Sequence, residues 1–259
     1  MDLKLKDKVI IVTGGSKGIG NGICNLLAKE GAIAVIVGRN KPNVLDAVKA
    51  IKDNGGQAFH AFAELTDKEA CKKAIDNVIK EFGRIDGLVN NAGVNDGIGL
   101  ENGNYDDFMV SIQRNVAHYY AMVHYALPEL KKSKGAIVNI GSKTSFTGQG
   151  GTSGYAAANG ARNALTREWA VELLPFSIRV NAVIVAECYT PLYKRWLDTF
   201  PNPEEKLKGI TKHIPLENRM TTATEIANAV AFLLSETSSH TTGQLLFVDG
   251  GYTHLDRSI

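Results

Sequence analysis

The chain has 259 residues, of which 44% are hydrophobic and 22% charged, proportions typical of a globular protein with a sizeable core. Its 29 basic and 27 acidic side chains nearly balance, which gives no support for a nucleic-acid partner or a membrane-surface partner. Because the three cysteines form no CxxC pair and no segment reaches the roughly 20 apolar residues that cross a bilayer, we expect a cytoplasmic protein.

Seven short apolar runs, rich in valine and isoleucine and bounded by glycine, are predicted to be β-strands. They are residues 8–14, 32–38, 58–63, 85–91, 135–141, 178–185 and 244–250. The runs are continuous rather than alternating, a pattern that suits strands buried on both faces of a parallel sheet.

Amphipathic patterns between these runs predict helices over residues 21–31, 67–83, 105–132, 155–174 and 223–235. Asp67 is a candidate N-cap, Gly83 is a candidate helix stop, and Pro128 is expected to disturb the long third helix. Repeated alternation of strands and helices predicts an α/β fold, a Rossmann-type doubly wound, seven-stranded parallel sheet with helices on both faces.

No linker or repeat interrupts this alternation, so residues 1–259 are predicted to form a single dinucleotide-binding domain. Residues 188–222 differ from the rest, because they contain several prolines and no strand pattern. Long segments of this kind inside a compact domain tend to be functional. We interpret residues 188–222 as a small helical lid insertion over the active face.

A glycine-rich loop, TGGSKGIG (13–20), follows the first strand and opens the first helix. Its glycines allow a tight turn and the close approach of a diphosphate to backbone N–H groups at a helix N-terminus. This position predicts dinucleotide binding, whereas a glycine motif alone is also compatible with a plain turn. The predicted loop contacts are Gly14, Ser16, Lys17, Gly18, Ile19 and Gly20.

The end of the second strand bears on the choice between NAD and NADP. An acidic residue there would accept hydrogen bonds from a ribose 2′-hydroxyl, but this chain has Arg39 in the segment VGRN. Lys17 in the glycine loop adds a second cation. Together they favour the 2′-phosphate of NADP over NAD, although two solvated surface cations would give the same pattern.

Several separate segments together resemble the short-chain dehydrogenase/reductase family. They are the glycine loop, NNAG (90–93), Asn115 in RNVAHYY, Ser142 thirteen residues before Tyr155, and VDGG (248–251). The resemblance covers essentially the whole chain and implies the Rossmann fold already predicted. It also implies cofactor contacts from Glu64, Leu65, Asn91, Ala92, Gly93 and Thr190, besides Tyr155 and Asn159.

A narrower likeness is to the L-fucose dehydrogenase branch of this family. It is carried by NNAGVNDGIGL, SKTSFTGQGGTSGY, TREWAVEL, AECYTPLY and HTTGQLLFVDGGYTHLDR. Members of that branch oxidise the anomeric carbon of L-fucose and related aldopyranoses to lactones. The resemblance implies a small sugar as the substrate. Because family members commonly form tetramers, it also implies a homotetramer.

The resemblance implies catalytic roles for three residues. Tyr155 takes the proton of the substrate hydroxyl as hydride leaves, Ser142 holds the substrate oxygen, and Asn115 holds a water that links the site to solvent. The family also has a lysine four residues after the tyrosine. That lysine binds the nicotinamide ribose, and its charge favours the ionised phenol.

This chain has Asn159 at the position of the lysine. Asparagine can hydrogen-bond a ribose hydroxyl but carries no charge, so the ionised fraction of the phenol is expected to fall about 10- to 1000-fold. The nearest downstream basic residue, Arg162, follows Tyr155 by seven positions. A swing of its long side chain toward the site stays open, although position 162 lies a turn further along the helix. The sequence therefore predicts a dehydrogenase that binds cofactor but is catalytically weakened.

Polar and aromatic side chains near these motifs are candidates for binding a sugar. Besides Ser142 and Tyr155, they are Asn95, Gln149, Glu187 and Trp196. Each of these residues is also compatible with a purely structural role. A tryptophan on a lid helix, for example, usually packs against apolar neighbours.

Two other classes of function stay open. A catalytically inactive NADP(H)-binding sensor, or an inactivated variant of a sugar dehydrogenase, would keep the cofactor loop and lose the chemistry at Asn159. A redox-neutral enzyme, such as the dehalogenases that resemble this family, would keep a Ser–Tyr pair but lose the glycine loop that this chain retains. No metal is expected, because the histidines and acidic residues form no cluster at metal-ligand spacing.

Overall fold

A computed structural model describes residues 2–255 and contains a seven-stranded sheet in which every neighbouring pair of strands is parallel. The strands are β1 (Val9–Thr13), β2 (Ile33–Gly38), β3 (Gln57–Phe62), β4 (Gly87–Asn90), β5 (Ala136–Ser142), β6 (Arg179–Val185) and β7 (Leu245–Val248). Their order is β3-β2-β1-β4-β5-β6-β7. This arrangement confirms the predicted doubly wound fold.

Two hydrophobic cores, one on each face of the sheet, explain why the strand sequences are continuously apolar. In β1, Ile10 and Val12 belong to one core, whereas Val9 and Ile11 belong to the other. Successive side chains of a strand point to opposite faces, so a strand covered on both sides has no solvent-facing position.

Helices cover both faces. The first core includes α1 (Gly18–Lys29), α2 (Lys41–Asp53) and α10 (Ala223–Leu234), and the second includes α3 (Lys68–Phe82), α5 (His118–Ser133) and α7 (Ser153–Glu172). The remaining α-helices are α4 (Tyr105–Ile112), α6 (Thr144–Thr147), α8 (Pro191–Leu197) and α9 (Pro203–Thr211). Asp67 caps α3 by accepting a hydrogen bond from the N–H of Glu69, and Gly83 ends the helix in the left-handed conformation, as predicted.

The structure differs from the predicted helices at two places. No helix is predicted between β2 and β3, yet α2 forms there, with Asn40 as its N-cap. The long helix predicted over residues 105–132 is not disturbed at Pro128, which lies inside α5 without ending it. It is instead interrupted by a π-helical turn, Gln113–Ala117, between α4 and α5.

The strand order reverses between β1 and β4, which are neighbours in the sheet. In open α/β sheets, ligands bind beyond the carboxyl ends of the strands at such a switch point. The glycine loop follows β1 and NNAG overlaps the end of β4, so both predicted cofactor motifs reach this edge. Among residues 2–255, no helix is long and apolar enough to cross a membrane.

Candidate active site

The glycine loop between β1 and α1 offers an anion both space and hydrogen-bond donors. Gly14 and Gly18 have φ angles of 65° and 56°, and a Cβ atom at Gly20 would clash with the Gly14 carbonyl oxygen. Lys17 caps α1 without a side-chain hydrogen bond, and no acidic residue lies in the first turn. The N–H groups of that turn are therefore available to a diphosphate, and the loop fits a dinucleotide cofactor.

The NNAG turn is fastened to the end of β1. The Asn91 amide Nδ2 donates to the Thr13 carbonyl oxygen at 2.9 Å, and the backbone N–H groups of Asn91 and Ala92 donate to Thr13 Oγ1 at 2.9 and 3.1 Å. A Cβ atom on Gly14 would lie 3.1 Å from the Ala92 Cα atom. These contacts bring the predicted residues of the two cofactor motifs together in one packed unit.

Arg39 follows β2, and Glu64 and Leu65 follow β3, the neighbouring strand. Arg39 Nη1 donates to Glu64 Oε2 at 3.0 Å, in a pair whose side chains are 78% and 45% exposed. Partial burial raises the pKa of Glu64, but hydrogen bonds from Arg39 and Thr66 outweigh it and hold that pKa below its usual value. The sequence shows no acidic residue beside Arg39, whereas the fold supplies one from the next strand.

Asn115 lies in the π-helical turn and is fully buried. Its Oδ1 accepts a hydrogen bond from the Val94 N–H at 2.8 Å, and its Nδ2 donates to the Ser111 carbonyl oxygen at 3.0 Å. π-Helical turns within α-helices often mark functional sites. Here the turn connects the helix of Asn115 to the segment that follows NNAG.

A cavity of about 1290 Å³ opens beside the ends of β5 and β6. All six predicted substrate contacts line it: Asn95, Ser142, Gln149, Tyr155, Glu187 and Trp196. Thr190 also lines it and lies against the glycine loop, because a Cβ atom on Gly18 would be 3.2 Å from Thr190 Cγ2. The fold therefore brings the predicted catalytic pair and the predicted substrate residues to one space adjoining the cofactor loop.

Asn159 does not face this cavity. It is fully buried, its Nδ2 donates to the Tyr155 carbonyl oxygen at 2.8 Å, and its Oδ1 accepts from Arg162 Nη1 at 3.0 Å. Of the two positions left open for Arg162, the structure shows the one in which the side chain extends back toward the site. Its guanidinium is buried, and its Cζ atom is 6.0 Å from the centroid of the Tyr155 ring.

Lys143 and Glu187 form an ion pair inside the cavity, with side chains 9% and 13% exposed. Lys143 Nζ also lies 3.8 Å from the centroid of the Tyr252 ring. Burial, followed by the charge of Glu187 and a hydrogen bond to it, raises the pKa of Tyr193. Lys143 is not among the residues predicted from the sequence. The only feature of the sequence that points to it is its position directly after Ser142, at the end of β5.

Aromatic side chains stand at the side of the cavity formed by α8. Trp196 is 44% exposed and packs edge-on against Tyr193 and Phe200, with ring centroids 5.2 and 4.9 Å away. All three side chains line the cavity. An exposed, braced aromatic cluster of this kind can cover the apolar face of a ring-shaped ligand.

Comparison with known proteins gives matches along nearly the whole chain. A family model described as Enoyl-(Acyl carrier protein) reductase matches residues 14–253. Cyclopentanol dehydrogenase of Comamonas testosteroni is 34% identical over 251 residues, which cover 96% of this chain and 98% of that protein. L-fucose dehydrogenase of Bos taurus is 31% identical over 252 residues, which cover 97% of this chain and 91% of that protein.

Solved structures agree in fold. Cj0485 dehydrogenase is 48% identical with a TM-score of 0.96, and the match covers 100% of this chain and 99% of that one. For Thermoplasma acidophilum aldohexose dehydrogenase the identity is 30%, the TM-score 0.89 and the coverage 100% and 98%. Gluconobacter frateurii L-sorbose reductase, solved with NADPH and L-sorbose, is 25% identical with a TM-score of 0.94. That match covers 99% of this chain and 100% of that one.

A family model that spans residues 14–253, together with relatives above 30% identity along nearly their whole length, makes this chain a member of the short-chain dehydrogenase/reductase family, and hence an oxidoreductase.

Proposed function

We propose that this enzyme oxidises the anomeric hydroxyl of a small sugar, L-fucose or a related aldose, to the lactone. The observation that carries the proposal is the composition of the cavity beside Ser142 and Tyr155. It combines the Lys143–Glu187 pair with the amides of Asn95 and Gln149, and it has an aromatic cluster on one side. A pyranose requires both features, since its rim carries hydroxyl groups and its face is apolar.

In this reaction the nicotinamide cofactor, when bound, supplies the acceptor for the hydride that leaves the anomeric carbon. Tyr155 takes the proton of the anomeric hydroxyl, and Ser142 donates a hydrogen bond to the same oxygen. The carbon loses a hydride and its hydroxyl loses a proton, so the product carries a carbonyl at the anomeric position. Lys143 and Glu187 offer a donor and an acceptor to the remaining hydroxyl groups.

The proposed cofactor is NADP, with NAD as the weaker alternative. Arg39 and Lys17 are the cations that would meet a 2′-phosphate, and the similar L-sorbose reductase was solved with NADPH. Glu64 competes with the phosphate for Arg39. An exposed ion pair of this kind stabilises by only about 0–1 kcal/mol, so the phosphate can displace it.

The second candidate function is a sensor that binds NADP(H) without turnover, which an inactivated variant of a sugar dehydrogenase would resemble. Asn159 favours it, because the family lysine is missing while the glycine loop and the NNAG turn are intact. We further propose a cytoplasmic homotetramer. Several large apolar side chains are more than a third exposed on α4, α5 and α7, including Tyr105, Met109, Tyr120 and Val171.

The test is reduction of NADP and NAD, followed by absorbance, with a panel of aldoses that includes L-fucose and with cyclopentanol as a non-sugar alcohol. We expect turnover with an aldose and formation of its lactone, and a loss of about 10²- to 10⁴-fold in Tyr155→Phe. Fluorescence titration with NADPH should show that the variant still binds cofactor.

Each other outcome has a defined meaning. If the enzyme oxidises cyclopentanol but none of the aldoses, its substrate is an apolar alcohol rather than a sugar. Tight NADPH binding with no turnover of any substrate would support the sensor. Light scattering gives the mass of the assembly, and a monomer would contradict the tetramer.

A further inference from the structure

We propose that Arg162 is the buried cation that favours ionisation of the Tyr155 phenol in this enzyme, in place of the lysine that Asn159 has replaced. The inference rests on the proposed dehydrogenase function and names a positioning residue for it. It explains how this chain can keep Ser142 and Tyr155 while lacking the lysine that usually favours ionisation of the tyrosine.

Arg162 is a buried charge with no carboxylate partner within the described part of the chain. The residue is 3% exposed, and none of the ion pairs among residues 2–255 includes it. Its guanidinium donates instead to neutral oxygens: the Asn115 carbonyl from Nε at 2.7 Å and also from Nη2, the Ile140 carbonyl from Nη1 at 3.1 Å, and Asn159 Oδ1. A buried cation without a counter-ion is unfavourable, so its charge remains available to stabilise a nearby anion.

The guanidinium lies between the tyrosine helix and the cofactor side of the site. Its Cζ atom is 4.4 Å from the ring centroid of Tyr119 and 6.0 Å from that of Tyr155. On the other side it lies against NNAG, because a Cβ atom on Gly93 would be 2.7 Å from Nη2. Arg162 therefore contacts Asn115, the helical asparagine for which the family resemblance implies a bound water.

Helix geometry explains how a residue seven positions after Tyr155 reaches it. Side chains of an α-helix tilt toward the helix N-terminus and cover the preceding turn. Arginine is long enough to extend along that direction past Asn159. The short asparagine leaves the space open and accepts from Nη1, whereas a lysine at position 159 would put a second buried cation next to Arg162.

The charge of Arg162 acts on two buried groups beside it, His118 and Tyr119. Burial, followed by the charge of Arg162, lowers the pKa of His118 to about 3. Burial raises the pKa of Tyr119 to about 12, and the charge of Arg162 acts in the opposite direction there. A positive charge at this position disfavours a neighbouring imidazolium and favours a neighbouring phenolate.

The test separates charge from structure with four variants. Arg162→Gln keeps donors but removes the charge, Arg162→Lys keeps the charge, and Asn159→Lys/Arg162→Val moves the cation to the family position. Arg167→Met is the matched control, because Arg167 is exposed on the same helix. Circular dichroism and NADPH titration show whether each variant folds and binds cofactor.

The readout is the pH dependence of kcat/KM for oxidation, which rises as the base ionises. We expect Arg162→Gln to move the midpoint upward by about 1–3 pH units, and Arg162→Lys and the double variant to hold it near that of the unmodified enzyme. Arg167→Met should leave it unchanged. An unmoved midpoint in folded Arg162→Gln, or a double variant that titrates like Arg162→Gln, overturns the inference.

A second readout does not need turnover. Tyrosinate absorbance is titrated for the enzyme and for each Arg162 variant, and the curve of Tyr155→Phe in the same background is subtracted. The other ionisable groups that line the cavity with Tyr155 are common to both curves of every subtraction; they are Asp96, Lys143, Glu187, Tyr193, Glu205, Lys206, Lys212, His213 and Tyr252. If no sugar is oxidised but the Tyr155 curve shifts upward in Arg162→Gln, the proposed function fails while the inference about Arg162 stands.

Discussion

At the residue level, the contact between Arg39 and Glu64 sets the electrostatics of the proposed 2′-phosphate site. Arg39 donates a hydrogen bond to the Glu64 carboxylate, so a 2′-phosphate has to displace that carboxylate to bind Arg39. The phosphate carries more charge and can accept both arms of the guanidinium, which favours the exchange. Glu64 is therefore expected to reduce the proposed preference for NADP without abolishing it.

We expect Arg39→Ala to lower the ratio of kcat/KM for NADP to that for NAD about 10- to 100-fold, because a charged hydrogen bond contributes roughly 1.5–3 kcal/mol. Glu64→Gln should raise the same ratio by less than about tenfold, since the pair is exposed. Steady-state kinetics with each cofactor measure both ratios. Lys49→Ala, an exposed cation on α2 paired with Asp53, is the control. An unchanged ratio in Arg39→Ala would remove the argument for NADP.

At the level of elements, α8 and α9 form one side of the cavity. Residues from Thr190 to His213 contribute to its lining, and the aromatic cluster belongs to this segment. α8 starts at a defined cap, because Thr190 Oγ1 accepts from the Tyr193 N–H at 3.1 Å. The same threonine adjoins the glycine loop, so the position of α8 is linked to the cofactor side of the site.

We expect Trp196→Ala to raise KM for the proposed sugar substrate by about three- to tenfold with a smaller change in kcat, because aromatic packing contributes roughly 0.5–1.5 kcal/mol and the predicted catalytic pair is untouched. Lys194→Ala, on the same helix but paired with Asp198 in an exposed position, should leave KM unchanged. Initial rates over a range of sugar concentrations give both constants. Equal effects of the two substitutions would indicate a general disturbance of α8 rather than a contact with the sugar.

For the molecule as a whole, the packing of α5 and α7 against the sheet encloses ionisable groups that the unfolded chain exposes to water. His118 is 1% exposed, and its Nε2 lies 3.1 Å from the Arg114 carbonyl oxygen. Burial and the nearby Arg162 charge lower the pKa of His118 from 6.5 to about 3. Between these values the unfolded chain binds a proton that the folded protein does not.

The contribution of His118 to stability is therefore complete above about pH 6.5 and is lost as the pH falls toward 3. We expect the free energy of unfolding to decrease over this interval, with a slope from this group of up to about 1.4 kcal/mol per pH unit. Urea denaturation between pH 7 and pH 4 measures the slope, which His118→Leu should reduce. His240→Leu, at an exposed position, should keep it. A slope that is the same in both variants would show that other groups govern the acid sensitivity.

The sequence by itself determined the architecture and the positions of the motifs. Continuous apolar runs specify strands covered on both faces, the glycine loop specifies a turn that only glycines permit, and Asp67 and Gly83 specify the ends of α3. The sequence also placed Ser142 and Tyr155 in one predicted site, and both line the same cavity. These features are local, because backbone conformation and hydrophobic period depend on residues close together in the chain. By the same reasoning α2 was predictable, since Asn40 precedes a helical apolar period.

Only the tertiary structure decided which charges meet. It paired Arg39 with Glu64 and Lys143 with Glu187, each pair beyond the ends of two neighbouring strands. It also introduced a π-helical turn at Asn115 that no sequence pattern indicates. It also decided that the Arg162 side chain extends back toward Tyr155, which the spacing of seven residues left open. Side-chain length, rotamer and the neighbouring elements determine where a long charged side chain ends, and these depend on packing between segments that are distant in the sequence.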